Sequence, residues 1–125
     1  GRPLVAGAKA VLDGALVSGP VPALDRLSRH GAITRMPRVR SLALRIARVA
    51  TAELDVAIAA GNAHDWDLAA ADLLVQEAHG ILSGLDGRVL TYNATVPRHG
   101  ALVSTGHALH ATVLAAARTD AGGTP

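Results

Sequence analysis

Short apolar segments alternate with helical patterns along this chain, and that alternation is the feature that most constrains its fold. Apolar runs bounded by turn residues predict strands at 15–19, 32–37, 55–60 and 100–106, and two further short strands around an Asp86-Gly87 turn within 81–93. Helical spacing of apolar residues predicts helices within 20–31, 41–54, 66–80 and 107–118. An alternating order of this kind predicts an α/β fold built in layers.

The composition predicts one compact domain with an aromatic-poor core. The chain has 125 residues, of which 50% are apolar but only 2% aromatic, so the core must be built from Ala, Leu, Val and Ile. It has no Cys, which excludes disulfides, thiolate zinc sites and Cys nucleophiles and is typical of a cytoplasmic protein. We expect the domain to span 1–118 and residues 119–125 to form a flexible tail.

The charge pattern argues against nucleic acids and membranes as partners. The net charge is only +2, and the one dense basic run, from Arg35 to Arg48, has no aromatic residue nearby. We interpret this run as a solvated helix face, with Arg45 and Arg48 outward, or as a feature that attracts a small anion. No stretch reaches the roughly 18 apolar residues of a membrane span, and no signal peptide is recognisable. The chain starts at Gly1 rather than Met, as a fragment would.

Asp67, in the first turn of the helix predicted at 66–80, is the first candidate site residue. At about 100° per residue, the helix has a polar face and an apolar face that we expect to meet the core. The polar face holds Asp65, Asp72, Gln76 and His79, and the apolar face holds Trp66, Ala70, Leu73 and Leu74. Asp67 lies with the apolar group, where a carboxylate must be hydrogen-bonded, paired or bound to a cation. Two interpretations stay open: it satisfies the helix N-terminus, or it binds a metal at the mouth of a cleft.

Other polar residues also allow two interpretations. Ser41 either caps the helix that follows it or offers its hydroxyl to a substrate. His64, just before the Trp66-Asp67 pair, either lines a substrate pocket or is a polar residue at the start of a helix. His107 and His110 have a spacing that would suit a metal, but no acidic third ligand is near in sequence, so we interpret them as surface or packing residues.

Three segments, taken in order and at their spacings, resemble the C-terminal half of the inositol monophosphatase family. They are "SLALRIARVATAELD", "WDLAAADLLVQEAHG" followed by "LDG", and "ALVSTGHALHATVL". This family comprises Mg²⁺-dependent, lithium-sensitive phosphatases and includes the 3′(2′),5′-bisphosphate nucleotidases. The Trp66-Asp67 pair and the Asp86-Gly87 turn match its pattern, while His79 replaces the first Gly of its Glu-Ala-Gly-Gly sequence. Because His79 is predicted to face outward, we expect little consequence from that difference.

The resemblance implies a mixed sheet with packed helices and gives Asp67 a role in binding Mg²⁺. Asp67, with His64 and Ser41, is also our candidate set of substrate-binding residues. A phosphate monoester is a dianion that a bare carboxylate would repel, and a bound Mg²⁺ reverses the sign of that interaction. The expected substrate is therefore a small phosphorylated metabolite: an inositol phosphate, a bisphosphate nucleotide or another sugar phosphate.

Other metal ligands of the family are missing from this sequence. They come from its N-terminal half, as a helical Glu and an Asp-Pro-(Ile/Leu)-Asp-Gly-Thr loop, and "GLDGR" at 84–88 is not that loop. We therefore expect the C-terminal half of a phosphomonoesterase, completed by a missing N-terminal half or associated with a second copy. The alternative is a truncated, non-catalytic binding or dimerisation module derived from the same family.

Overall fold

The computed structural model describes residues 10–37, 42–59, 63–85, 87, 98–99 and 101–122. Strands and helices alternate through most of this part of the chain. The elements are β1 Leu16–Ser18, α1 Val21–Ser28, β2 Thr34–Arg35, α2 Leu42–Ala50, β3 Val56–Ala59, β4 Ala63–His64, α3 Asp65–Glu77, β5 Gly80–Gly84, β6 Arg98–His99, β7 Leu102–Gly106, a 3₁₀ turn His107–Leu109 and α4 His110–Gly122.

Five of the strands form one mixed sheet, in the order β2-β1-β3-β7-β5. β1 pairs in parallel with both β2 and β3, whereas β7 is antiparallel to both β3 and β5. Four strands therefore run in one direction and β7 runs against them. Asp55 aligns the starts of β1 and β3, because its Oδ2 accepts a hydrogen bond from the Leu16 N–H and its own N–H donates to the Leu16 carbonyl, both at 2.8 Å.

Helices cover both faces of this sheet, which confirms the predicted layered α/β fold. Successive strand residues point to opposite faces: Ile58 packs in a cluster with residues of α1 and α4, such as Leu24 and Val113. Its neighbour Ala59 packs in a second cluster with residues of α2 and α3. The buried hydrophobic side chains among the described residues are all Ala, Leu, Val and Ile, as the composition predicts.

Some predicted boundaries differ from the structure. α4 continues to Gly122, past the predicted end at 118, and residues 123–125 lie outside the described part. Gly87, with φ 83°, donates its N–H to the Gly84 carbonyl at 3.0 Å, as a turn at this point requires, but the second strand expected after it falls on residues that are not described. The pairing of β4 with β6 was not predicted, because it joins two very short segments that are distant in sequence.

Two helices end on a non-glycine residue in the left-handed region. Ala52 follows α2 with φ 63°, and His79 follows α3 with φ 65°. In each case the N–H of this residue bonds the carbonyl three residues earlier, Val49 at 3.1 Å and Gln76 at 3.0 Å, as in a Schellman-type end. The sequence predicted Gly80 as the terminating residue of α3, but Gly80 begins β5 and His79 has the left-handed conformation.

Candidate substrate and metal site

The carboxyl ends of the four strands that run in one direction lie along the same edge of the five-stranded sheet. Ala59 at the end of β3 and Gly84 at the end of β5 both pair with Leu102, the first residue of β7. β1 is parallel to β3 and so ends at the same edge, with Ser18. We call this the carboxyl edge. In open α/β sheets, ligands bind outside the carboxyl ends of the strands.

The N-termini of three helices lie at the carboxyl edge. α1 begins at Val21, shortly after β1 ends there. α2 and α3 each run towards the opposite edge, since β3 and β5 begin at that edge directly after them. The first turns of α1 and α2 carry no acidic residue, and α1 has no side-chain cap. Uncompensated helix N-termini attract anions, because their free N–H groups and dipoles present positive charge.

The predicted site residues Asp67 and His64 also belong to this edge. Asp67 is in the first turn of α3, and His64 is the last residue of β4, which leads directly into that helix. β4 pairs antiparallel with β6, so that Arg98 stands opposite His64 in the register. Sequence analysis missed Arg98 at this position, since only the pairing of the two strands brings it there. Ser41, the third candidate, precedes α2 and lies outside the described residues.

The predicted faces of α3 are wrong. Its exposed side includes Leu73 and Leu74, at 56% and 38% exposure, whereas Asp72 is 5% exposed. Ala71, Val75 and Ala78 form the buried face, and small side chains allow the helix to approach the sheet and α2 closely. Position 67 is one turn before Ala71 and falls at the border of that buried face by helical spacing.

Arg45 is a second correction, because it is buried and not outward-facing. It lies in the first turn of α2 with 5% exposure, and its Nη1 donates a hydrogen bond to the Ile58 carbonyl at 3.3 Å. Ile58 is the second-last residue of β3, which ends at the carboxyl edge. The guanidinium therefore places a buried positive charge close to that edge, and it anchors β3 to α2.

The two histidines of the last helical segment do not form a metal site with other described residues. His110 Nε2 lies 2.7 Å from the Ser83 Oγ, and that hydroxyl also donates to the Gly84 carbonyl at 2.9 Å. His110 therefore joins α4 to β5 through Ser83. His107 is exposed. Within the described part of the chain, no group of three or more His, Asp and Glu side chains could hold a metal ion.

Residues 17–121 match the inositol monophosphatase family. The fold is similar to that of the extragenic suppressor protein suhB from Bartonella henselae, at 20% identity with a TM-score of 0.76, covering 94% of this chain and 47% of that one. It is also similar to an IMPase from Thermotoga maritima, at 21% identity with a TM-score of 0.77, covering 94% and 46%.

A third structure, an IMPase/NADP phosphatase complexed with Mg²⁺ and phosphate, has 19% identity and a TM-score of 0.72, covering 90% of this chain and 42% of that one. No curated protein sequence matches the chain. The chain spans about half the length of these solved structures.

The match over residues 17–121 places the chain in the inositol monophosphatase family, which confirms the resemblance seen in the sequence. Among the described helices, none combines the length and apolarity that crossing a membrane requires.

Proposed function

We propose that this chain forms the C-terminal half of a Mg²⁺-dependent phosphomonoesterase that acts on a small phosphorylated metabolite in the cytoplasm. Asp67 is its metal ligand, and His64 and Ser41 belong to the substrate pocket. The observation that carries the proposal is the position of Asp67 in the first turn of α3, a helix that begins at the carboxyl edge as α1 and α2 do. This arrangement suits a ligand that is anionic and also needs a cation.

The donor set fits Mg²⁺ only in part. Mg²⁺ requires several well-placed oxygen ligands and gives up its water reluctantly. The first turn of α3 contains Asp65 and Asp67. The family resemblance implies that the remaining ligands come from an N-terminal half. When bound, the metal would neutralise the phosphate and stabilise charge on the leaving oxygen.

The chain's own contribution is binding and orientation. The N-termini of α1 and α2, free of acidic residues, favour a phosphate at the carboxyl edge through their N–H groups.

Mg²⁺ binding to the isolated chain tests the metal role. We expect weak binding that shifts the backbone amide signals of residues 65–68 in an NMR titration. Asp67→Asn should remove these shifts, whereas Glu77→Gln, at the far end of the same helix, should leave them unchanged. Equal shifts in the parent and Asp67→Asn would reject Asp67 as a ligand.

Activity is tested on the same preparation. The isolated chain should release no phosphate above background from inositol monophosphate or adenosine 3′,5′-bisphosphate, because its metal site is incomplete. In any complete form of the enzyme, Asp67→Asn should abolish turnover while leaving the fold nearly intact. Turnover by the isolated chain would overturn the half-enzyme proposal.

One observation favours the alternative, a non-catalytic dimerisation module. The exposed Leu73 and Leu74 on α3, with Leu44 on α2 at 45% exposure, place apolar side chains on the outer surface of the same helical layer. Exposed apolar surface of this kind marks a partner site or an aggregation risk. A defined dimer without Mg²⁺ binding would support the module, and Mg²⁺ binding lost in Asp67→Asn would support the half-enzyme.

A further inference from the structure

A series of hydrogen bonds runs from the first residue of α4 into the turn that follows β5. His110 Nε2 lies 2.7 Å from the Ser83 Oγ, and this hydroxyl donates to the Gly84 carbonyl at 2.9 Å. The same carbonyl accepts a hydrogen bond from the Gly87 N–H at 3.0 Å. We call these three bonds the His110 relay. The relay lies at the carboxyl edge, where β5 ends, and none of the roles proposed above uses it.

The number of protons in the relay fixes its direction. A serine hydroxyl has one proton to donate, and Ser83 donates it to the Gly84 carbonyl. The contact with His110 therefore needs a proton from the ring, on Nε2. If the hydroxyl donated to the ring instead, the Ser83 and Gly84 oxygens would face each other at 2.9 Å with no proton between them. Ser83 is 0% exposed, so bulk water does not replace a bond lost here, and an unmet buried polar group costs free energy.

The turn after β5 depends on these bonds because its backbone is intrinsically flexible. It contains Gly84 and Gly87, and glycine loses more backbone entropy on folding than any other residue. The Ser83 side chain has three staggered rotamers, and the bond from His110 favours the one in which Oγ reaches the Gly84 carbonyl. The imidazole therefore acts on the turn through the serine hydroxyl.

We propose that His110 is a positioning residue that fixes the turn between Gly84 and Gly87 at the carboxyl edge. As an Nε2–H donor it orients the Ser83 hydroxyl, which holds the Gly84 carbonyl together with the Gly87 N–H. The relay couples the start of α4 to the end of β5, so that loss of the ring donor loosens the turn while the sheet stays intact. This conformational role does not depend on the proposed phosphatase function.

The position of the ring proton tests the direction of the relay. Nitrogen NMR of the imidazole at about pH 8, where an ordinary histidine is neutral, should show that Nε2 of His110 carries a proton. The signal that His110→Gln removes belongs to this ring among the six histidines of the chain. A proton on Nδ1 alone, with Nε2 unprotonated, would overturn the proposal.

Amide hydrogen exchange tests the effect of the ring on the turn. His110→Leu removes the donor, so exchange of the Gly87 amide should become about tenfold faster, as expected for the loss of one buried hydrogen bond. His110→Gln can place an amide N–H close to the position of Nε2 and should restore most of the protection. His107→Leu is the matched control, because His107 is an exposed residue of the same segment, and it should leave the exchange unchanged.

Two comparisons separate positioning from a general loss of stability. The Ala52 amide donates to the Val49 carbonyl in the turn after α2, and its exchange should not change in His110→Leu, because opening of that turn leaves the relay intact. The double variant Ser83→Ala with His110→Leu should exchange the Gly87 amide no faster than Ser83→Ala alone, since the ring acts through the hydroxyl.

Three results of the exchange experiments would each overturn the proposal. They are equal acceleration at Gly87 and Ala52, exchange in His110→Gln as fast as in His110→Leu, and additive effects in the double variant. If His110→Leu fails to fold, as circular dichroism would show, faster Gly87 exchange in Ser83→Ala and a protonated Nε2 in the parent support the relay. Unchanged exchange in Ser83→Ala would overturn it.

Discussion

His79 at the end of α3 gives the sharpest stability prediction. It is exposed and has φ 65°, where a side chain with a β-carbon costs about 1–2 kcal/mol relative to the right-handed region. Glycine avoids that cost, but it loses more backbone entropy on folding, by about 0.5–1 kcal/mol. His79→Gly should therefore stabilise the chain by about 0.5–1 kcal/mol, with the N–H to Gln76 hydrogen bond retained.

Urea unfolding followed by circular dichroism measures this difference. For a domain of this size the gain corresponds to a rise in Tm of about 2–5 °C. His79→Ala keeps the β-carbon, so its stability should stay at or slightly below that of the parent. Ala52→Gly, at the end of α2 with φ 63°, should give a gain of similar size for the same reason.

Two results would refute this reasoning. If His79→Ala stabilised the chain as much as His79→Gly, the imidazole and not the backbone conformation would be the source of the cost. If His79→Gly destabilised the chain, the helix would not end in the left-handed conformation in solution. The family sequence places glycine where His79 stands, so the expectation from sequence that this replacement has little effect is also tested.

Three further predictions concern buried polar groups and the exposed apolar surface. Ser104 is fully buried and its Oγ has no hydrogen-bond partner among the described residues, so Ser104→Ala should stabilise the chain by about 0.5–1 kcal/mol in the urea assay. Ser83→Ala removes the contact with His110 and should destabilise the chain by about 1–2 kcal/mol in the same assay. Arg45→Ala should destabilise by about 2–4 kcal/mol, because it empties a buried site and removes the hydrogen bond to the Ile58 carbonyl. Arg29→Ala on the exposed surface should change stability by less than about 0.5 kcal/mol. The isolated chain should self-associate in sedimentation experiments, and Leu73→Gln with Leu74→Gln should shift it towards monomer without loss of stability; unchanged association would place the interface elsewhere.

The order of elements could be predicted because it depends on local patterns. The run at 55–60 is short and apolar and lies between turn residues, and β3 spans Val56–Ala59 as expected. Likewise, Pro22 lies in the first turn of α1 and Gly31 follows the end of that helix, as the sequence pattern predicts. The β4–β6 pair could not be predicted, since two-residue strands have no periodicity and their register depends on contacts between Ala63 and His99 that are distant in sequence.

The candidate site was predicted in part. Asp67 and His64 were found because the Trp66-Asp67 pair matches a family pattern. In the structure, Asp67 lies in the first turn of α3 and His64 ends β4, directly before that helix. Their ligand roles stay predictions. Arg98 could not be found from sequence, because its place opposite His64 follows only from strand pairing.

The predicted orientation of α3 is the main error of the sequence-based prediction, and the reason for this error bears on the site. The prediction placed Leu73 and Leu74 in the core because they are the most hydrophobic residues of the helix. However, α3 packs against both the sheet and α2, and this close packing favours small side chains on the buried face of the helix. Ala71, Val75 and Ala78 satisfy that condition, and the larger leucines are left outward. This rotation still keeps position 67 at the border of the buried face, one turn before Ala71, rather than on the open surface.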